Sequence, residues 1–154
     1  AGERAGNASY EDIAMALLTM YDVNIGLNYS QIYPLSKLFR SMVNFPVRAN
    51  RGIIGENIFK IESGIVAGWY ENVKNTNPLL VSPYLPELVG HDPTEIVLGK
   101  HSGSPSIDHW LEKYHVSLNE EQKNELLNKI KLKAYQKCGL LDENDFSGLL
   151  KEYL

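Results

Sequence analysis

Prolines cluster in one part of this chain. The segment 76–93 holds four of the seven, namely Pro78, Pro83, Pro86 and Pro93. Because proline fixes its own φ angle and lacks a backbone N–H, it is excluded from helix interiors and from central strands. We therefore expect 76–93 to be irregular. Long ordered loops inside compact proteins are uncommon and usually functional, so this segment is a first candidate for a functional region.

Apolar residues at helical spacing predict helices before the proline-rich segment. The first begins after Ser9, which the pattern predicts to form a capping box with Asp12. A second helix is predicted from Leu35 to Asn44, because Pro34 forbids an uninterrupted helix from further upstream. It is expected to bury five apolar side chains, those of Leu35, Leu38, Phe39, Met42 and Val43.

A third helix is predicted from Glu56 to Glu71. Gly64 and Gly68 stand four residues apart within it. Glycines at this spacing permit close approach of another backbone or of a ligand, at some cost in helix stability. The spacing therefore predicts a tight contact along this helix.

After the proline-rich segment, the pattern is simply helical from Ser104 onwards. Ser104 is predicted to cap a helix that has Pro105 at its first position. Asn119 starts a longer helix that is expected to end at Gly139, and Asp142 opens a last one. The side chains predicted to lie on the apolar faces of these helices are Ile107, Trp110, Leu111, Leu126, Leu127, Ile130, Ala134, Phe146, Leu149, Leu150 and Tyr153.

Charge and cysteine usage argue against several classes of protein. The net charge is −4 and the lysines and arginines are scattered, which argues against a nucleic-acid-binding surface. No apolar run reaches membrane-spanning length, so no membrane partner is expected. The single cysteine, Cys138, allows no internal disulfide, which fits a reducing cytoplasm. We expect Cys138 to be a buried or half-buried helix residue.

Three glycine-containing motifs occur in order along the chain. The first, G-E-R-A-G-N-A at 2–8, is a polar turn that leads into the first predicted helix, where backbone can approach a ligand. The second, G-E-N-I-F-K-I-E-S-G-I, occupies 55–65, and the third, L-G-K-H-S-G, occupies 98–103. Between them lie N-P at 77–78 and P-E-L-V-G at 86–90.

In this order, and with no gap in their spacing, the motifs resemble the isopropylmalate, homocitrate and citramalate synthase family, part of the HMG-CoA lyase-like TIM-barrel superfamily. The resemblance covers nearly the whole chain. It implies a mainly α fold, in which the end of a TIM (β/α)8 barrel is followed by small, mostly helical linker subdomains. The implied segments are the last barrel turn and helix at 1–27, a linker with helices and an irregular loop at 28–103, and a small helical subdomain at 104–154.

The same resemblance implies an acyl-CoA:2-oxo-acid acyltransferase in which this chain is the C-terminal portion. An acyl-CoA, usually acetyl-CoA, loses a methyl proton, the enolate attacks the ketone of a 2-oxo acid, and the thioester is hydrolysed. The family's divalent metal (Mg²⁺, Mn²⁺ or Zn²⁺) polarises that ketone. Its ligands are implied on the missing part of the barrel, so no metal site is expected within these residues.

The resemblance also implies a domain-swapped homodimer, in which each linker covers the barrel mouth of the other subunit. The portion given by this chain is then expected to be inactive by itself.

The first motif carries the residues that the resemblance implies to be catalytic, Glu3 and Arg4. They lie in the turn at the C-terminal rim of the barrel, the face where TIM-barrel catalysis takes place. An ion pair that only holds the turn against its helix is an equal alternative. Asn7, in the same turn, is assigned to substrate binding as a hydrogen-bonding residue.

Three further residues are assigned to substrate binding, namely Tyr84, Lys100 and His101. Lys100 is a candidate for the phosphates of CoA, although the alternative is that the whole third motif only shapes its loop. Tyr84 follows the N-P pair and could substitute for a family tyrosine. The remaining histidines have no metal-ligand companions at useful spacing and are expected to be surface or packing residues; they are His91, His109 and His115.

The chain departs from the family at three positions. Members usually read F-x-H-E-S-G-I-H in the second motif, where Ile61 and Val66 replace the histidines here, and Val81 stands where the family has its tyrosine. Imidazole carries protons at neutral pH, whereas aliphatic side chains cannot. The protein therefore recruits another base, or uses a different acceptor such as the oxaloacetate of Re-face citrate synthases, or has lost synthase activity. In the last case it is a catalytically degenerate helical module for dimerisation or interaction.

Overall fold

A computed structural model describes residues 4 and 6–154, and these residues are mainly helical, as predicted. The α-helices are α1 Tyr10–Tyr21, α2 Ile32–Met42, α3 Gly64–Val73, α4 Ser104–Lys113, α5 Glu120–Lys137 and α6 Glu143–Leu150. Two short strands, β1 Lys60–Ile61 and β2 Glu95–Ile96, pair in parallel. Single 3₁₀ turns occupy Tyr29–Gln31, Pro78–Leu80, Pro86–Val89 and Lys151–Tyr153.

The chain divides into two compact units. Unit 1 consists of the residues up to Phe59 together with Tyr84–Pro93, and unit 2 consists of Lys60–Pro83 and Thr94–Leu154. Both units are discontinuous in the chain, because the proline-rich segment contributes to each. Neither unit equals one of the three predicted segments, whose boundaries stay a prediction.

The core of unit 1 joins α1 to the 3₁₀ turns at Tyr29–Gln31 and Pro86–Val89. Its buried members are Ala14, Met15, Tyr29, Ile32, Phe59 and Val89. The predicted capping box before α1 is wrong, because the Asp12 carboxylate does not bond to the backbone of the helix start. Instead it accepts hydrogen bonds from the hydroxyl of Ser9 and from the guanidinium of Arg51.

Helix α2 begins at Ile32, earlier than predicted. Pro34 is accommodated in its first turn, where a backbone N–H would have no partner within the helix. The predicted burial is wrong. Ile32 and Tyr33 are the buried residues of α2, whereas the five side chains expected in the core are 37–74% exposed, namely Leu35, Leu38, Phe39, Met42 and Val43. Helical spacing identified an apolar face, but spacing alone does not show what covers it.

The third predicted helix is shorter than expected, because 56–59 form turns and β1 follows them. Only α3 is helical. Its two glycines make the tight contacts that their spacing predicted: a Cβ on Gly64 would lie 2.5 Å from Cα of Gly103, and one on Gly68 would lie 3.3 Å from Cγ of Pro105. The irregular structure predicted for 76–93 is confirmed, with 3₁₀ turns as its only helical parts among the described residues.

The core of unit 2 is built by α4, α5 and α6, as their apolar spacing predicted. Its buried members are Leu98, Ile107, Trp110, Leu111, Leu126, Ile130, Ala134, Leu141, Phe146 and Leu150. Leu127, Leu149 and Tyr153 pack at the edge of this core. The indole N–H of Trp110 donates to the carbonyl of Ile96 at 2.8 Å, so its one polar atom is satisfied.

The helix ends of unit 2 can be compared with the capping residues that the sequence predicted. The predicted starts at Asn119 and Asp142 are confirmed, since both residues form complete capping boxes. For α4 the N-cap is Gly103 rather than Ser104. At the end of α5, Cys138 itself takes the left-handed conformation, with φ 52°. The expectation that Cys138 is buried in a helix is wrong, because it caps the helix end and is exposed.

Candidate functional site

The second and third motifs pack against each other around the carboxylate of Glu62. Its Oε1 accepts a hydrogen bond from the backbone N–H of His101 at 3.0 Å. Gly99 leaves the space that the carboxylate occupies, because a Cβ there would overlap with the same oxygen. Any larger residue at 99 would displace Glu62.

Three further hydrogen bonds hold the turn at 99–103. The backbone N–H of Gly64 donates to the carbonyl of His101 at 3.2 Å. Within the turn, the buried hydroxyl of Ser102 accepts from the N–H of Gly99 at 2.9 Å, and the N–H of Ser102 donates to the carbonyl of Gly99 at 3.2 Å. The backbone of the turn is therefore bound on both sides of His101.

The side chains that project from this turn are exposed. Lys100 and His101 both face solvent, whereas Ser102 is 2% exposed. An exposed lysine beside an exposed imidazole on a rigid turn can bind an anionic group without first ordering the backbone. Two of the predicted substrate-binding residues, which are adjacent in the sequence, are thus exposed on the same turn.

The other predicted site residues belong to unit 1 or lie outside the described residues, as Glu3 does. Arg4 is exposed and lies in a turn with a left-handed φ of 55°, and Gly6 has a φ of 85°. Asn7 is exposed just before α1. The catalytic and binding roles assigned to Glu3, Arg4 and Asn7 stay predictions.

Tyr84 is half-buried in unit 1, with its ring edge-to-face against Phe59 at a centroid distance of 5.7 Å. Burial raises the pKa of the Tyr84 hydroxyl, and the negative charge of Asp12 raises it further. The hydroxyl is therefore protonated at neutral pH and is available as a hydrogen-bond donor. Its role toward a substrate stays a prediction.

The side chains of Ser9, Glu11 and Asp12, at the start of α1, cluster around Arg51. The sequence did not predict this cluster. Nη2 of Arg51 lies 2.5 Å from Oγ of Ser9, 2.5 Å from Oδ2 of Asp12 and 3.2 Å from Oε1 of Glu11. The hydrogen bond with Asp12 is the main cause of a raised pKa for Arg51, although partial burial opposes it. The cluster ties the loop at 45–55 to the helix that follows the first motif. Short sequence patterns do not predict an ion pair between residues that are about 40 positions apart in the chain.

His91 packs inside unit 1, which confirms its predicted role. Its ring stacks on Tyr33 with a centroid distance of 3.8 Å and meets the edge of Phe59 at 5.1 Å. Nε2 lies 3.0 Å from the carbonyl oxygen of Gly55. This contact anchors the beginning of the second motif.

His109 pairs with Glu71 and so links α4 to α3. Its Nδ1 lies 2.8 Å from Oε1 of Glu71, whose other oxygen accepts from Lys74 at 2.5 Å. Burial by itself would raise the pKa of Glu71, but the hydrogen bonds with Lys74 and His109 outweigh it, so the pKa is lowered. This pair lies within unit 2 and has a structural role.

The three positions that depart from the family hold half-buried aliphatic side chains. Ile61 is the second residue of β1 and pairs with Ile96. Val66 lies on the first turn of α3, and Val81 follows the 3₁₀ turn at Pro78–Leu80. None of them can transfer a proton.

Over the described part of the chain, no group of three or more His, Cys, Asp or Glu side chains is arranged to hold a metal ion. The described residues therefore offer no such ligand set for the divalent metal that the resemblance implied. The same residues contain no helix that is long and apolar enough to cross a membrane.

Comparison with known proteins identifies the family. The family model described as homocitrate synthase post-HMGL domain-like matches residues 53–138, more than half of the chain. The chain is 35% identical over 150 residues to homocitrate synthase AksA of Methanothermobacter thermautotrophicus. The aligned region covers 97% of this chain and 37% of that protein.

Two further relatives carry other synthase names. The chain is 38% identical over 154 residues to 2-isopropylmalate synthase of Carboxydothermus hydrogenoformans, covering 98% of this chain and 29% of that protein. It is 34% identical over 131 residues to (R)-citramalate synthase CimA of Methanocaldococcus jannaschii, and the aligned region covers 84% of this chain and 26% of that protein. The chain thus spans between 26% and 37% of the length of these three relatives. It belongs to the homocitrate synthase post-HMGL domain-like family, as its motifs predicted.

Proposed function

We propose that this chain is the C-terminal portion of an acyl-CoA/2-oxo-acid condensing enzyme of the homocitrate, isopropylmalate or Re-citrate synthase kind. The observation that carries the proposal is the turn at 99–103. It lies inside the region that the family model matches, it is held by Glu62, and it presents Lys100 and His101 to solvent. A rigid turn with an exposed cation suits an anionic substrate such as an acyl-CoA.

In the proposed reaction, the acyl-CoA loses a methyl proton to a base, and the methyl carbon bonds to the ketone carbon of the 2-oxo acid. The π bond of the ketone opens in this step and its oxygen takes up a proton. Water then cleaves the thioester and releases CoA. Lys100 and His101 bind the anionic part of the acyl-CoA. Tyr84 donates a hydrogen bond from its protonated hydroxyl. Glu3 and Arg4 act at the rim of a TIM barrel, and Asn7 hydrogen-bonds there to the substrate.

A divalent metal would polarise the ketone under attack. Since the described residues provide no ligand set for it, we assign the metal to the preceding barrel portion and derive no step through it here. By the same reasoning, this chain alone is inactive. We place the whole enzyme in the cytoplasm.

The exposed apolar side chains support a role in dimerisation and in covering the active site. α1 exposes Tyr10, Ile13, Met20 and Tyr21, and α2 with the residues after it exposes Leu35, Leu38, Phe39, Met42, Val43 and Phe45. Soluble proteins rarely leave large contiguous apolar patches in water. We propose that α1 packs on the barrel and that the linker takes part in a domain-swapped homodimer.

A second candidate function rests on the aliphatic residues at 61, 66 and 81. Because Ile61 and Val66 replace two histidines, the protein could be a degenerate module that kept its fold for dimerisation or interaction. The two functions differ in whether carbon–carbon bond formation takes place.

The test uses the full-length protein with acetyl-CoA and a panel of 2-oxo acids that includes 2-oxoglutarate, 2-oxoisovalerate, pyruvate and oxaloacetate. Mg²⁺, Mn²⁺ or Zn²⁺ is supplied, and thiol release is followed with a colorimetric reagent. Reactions without a 2-oxo acid measure background thioester hydrolysis. Acid-dependent thiol release excludes the degenerate module, whereas its absence with every acid and metal refutes the condensing enzyme.

A further inference from the structure

We propose that Glu62 is a positioning residue for an anion-binding turn, and that the anion is a phosphate group of the acyl-CoA. This inference rests on the proposed function and assigns one substrate group to one place in the fold. In it, Glu62 acts through the backbone, whereas Lys100 makes the contact with the phosphate.

The geometry argues for a backbone role of the carboxylate. Oε1 of Glu62 accepts the N–H of His101 at 3.0 Å, and Gly99 packs against the same oxygen. The carboxylate is thus directed into the turn rather than toward the exposed side chains of Lys100 and His101. The charge-assisted hydrogen bond from the His101 N–H holds the carboxylate in this orientation.

Two hydrogen bonds hold the backbone of His101, the residue that follows Lys100 in this turn. Among the described residues, the only hydrogen bonds to the backbone of His101 are those of Glu62 and of the Gly64 N–H. Removal of the Glu62 side chain leaves one of these two bonds. The freed N–H is at an exposed position and can bond to water, so the fold survives while the backbone at Lys100 and His101 is held less firmly.

Order in this turn affects binding because Lys100 is otherwise a flexible side chain. Ordering a long side chain costs conformational entropy on binding, and a mobile backbone adds to that cost. A phosphate held by Lys100 therefore depends on Glu62 even though the two are not in contact with each other. The dependence should appear in the affinity for acyl-CoA and not in the rate of the chemical step.

The experiment compares variants of the full-length enzyme. Lys100→Gln should raise KM for acetyl-CoA about tenfold, which corresponds to about 1.4 kcal/mol. Glu62→Ala should raise it about five- to tenfold with kcat changed less than about twofold. Glu62→Gln keeps an oxygen acceptor and should leave KM unchanged. Glu112→Ala, at an exposed position of α4, is the matched control and should match the wild type.

The double variant is the decisive measurement. If Glu62 acts through the turn, Glu62→Ala adds no further loss to Lys100→Gln, whereas independent effects multiply. Acetyl-dephospho-CoA then identifies the group. If both variants lose their effect with this substrate, the 3′-phosphate is bound, and if they keep it, the pyrophosphate is bound. The proposal would be overturned if Glu62→Ala has the same KM for acetyl-CoA as the wild type. It would also be overturned if the two KM effects multiply in the double variant.

Direct binding of CoA, measured by calorimetry, separates this inference from the proposed function. If the wild type binds CoA and the Glu62→Ala variant binds it more weakly, the positioning role of Glu62 is supported, even when no 2-oxo acid gives thiol release. A protein that neither binds CoA nor releases thiol refutes both. Urea unfolding of Glu62→Ala verifies that the variant is folded at the assay temperature.

Discussion

Replacement of Gly64 by alanine tests the contact on which the packing of the second and third motifs depends. The new Cβ would lie 2.5 Å from Cα and 2.6 Å from N of Gly103. Carbon atoms ordinarily approach to about 3.5–4.0 Å, so the two backbones must separate by about 1 Å. Neither backbone can rotate away as a flexible side chain could.

The expected loss follows from two terms. Overpacking of a tight contact costs about 1–3 kcal/mol. The separation also stretches the hydrogen bond from Gly64 N–H to the carbonyl of His101, now 3.2 Å long, and its loss costs about 1 kcal/mol. We expect Gly64→Ala to lower the free energy of unfolding by about 2–4 kcal/mol.

Gly68→Ala is the matched control, since it makes the same change one turn later in α3. Its Cβ would meet a side-chain atom, Cγ of Pro105, at 3.3 Å, and a shift of a few tenths of an ångström relieves the contact. Alanine is favoured over glycine in a helix interior by about 1 kcal/mol. The two effects nearly cancel, so Gly68→Ala should be close to neutral.

Urea unfolding followed by circular dichroism measures both variants under the same conditions, with the slope m as a check that the denatured states are comparable. If Gly64→Ala is within about 0.5 kcal/mol of the wild type, a typical range for substitutions away from special features, the close backbone approach does not exist in solution. If Gly68→Ala is as destabilising as Gly64→Ala, the loss comes from α3 in general and the argument from Gly103 fails.

Three further outcomes are expected. Because the pKa of Glu71 is lowered by its bonds with Lys74 and His109, its stabilisation is present above the ordinary value of 4.5 and is lost as pH falls. The difference in unfolding free energy between wild type and Glu71→Gln should shrink as the pH falls below 4.5, and a constant difference would contradict this assignment. Asn119→Ala should lower the unfolding free energy by about 1 kcal/mol, whereas Asn119→Ser, which keeps an N-cap oxygen, should not; equal losses would exclude the cap as the cause. Phe146→Ala, at a fully buried site, should cost about 3–5 kcal/mol, which calorimetry would detect as a large drop in Tm, and a small drop would place Phe146 outside the core.

Local signals in the sequence predicted local structure well. The helix starts predicted at Asn119 and Asp142 are both confirmed, each with a complete capping box, because a cap involves only neighbours within one helical turn. Where a distant residue competes, the same signal failed. Ser9 and Asp12 have the spacing of a cap, but Arg51 attracts both through its charge.

The candidate site divides in the same way. Its residues Lys100 and His101 were predicted from a motif, and their exposure on one turn agrees with a binding role, which stays a proposal. The residue that holds the turn, Glu62, was present in the quoted motif but was assigned no role. Its partner is 39 positions away in sequence, and sequence spacing carries no information about such a contact.

The sequence by itself determined the family, the helical character of the chain, the irregular proline-rich segment and the close approach at Gly64. These depend on residue type, on short-range periodicity and on motifs in order. Only the tertiary structure decided that the apolar face of α2 is exposed, that Arg51 clamps the start of α1 and that Glu62 binds the backbone of His101. The physical reason is that burial, ion pairing and hydrogen bonding between distant segments depend on which surfaces meet in three dimensions.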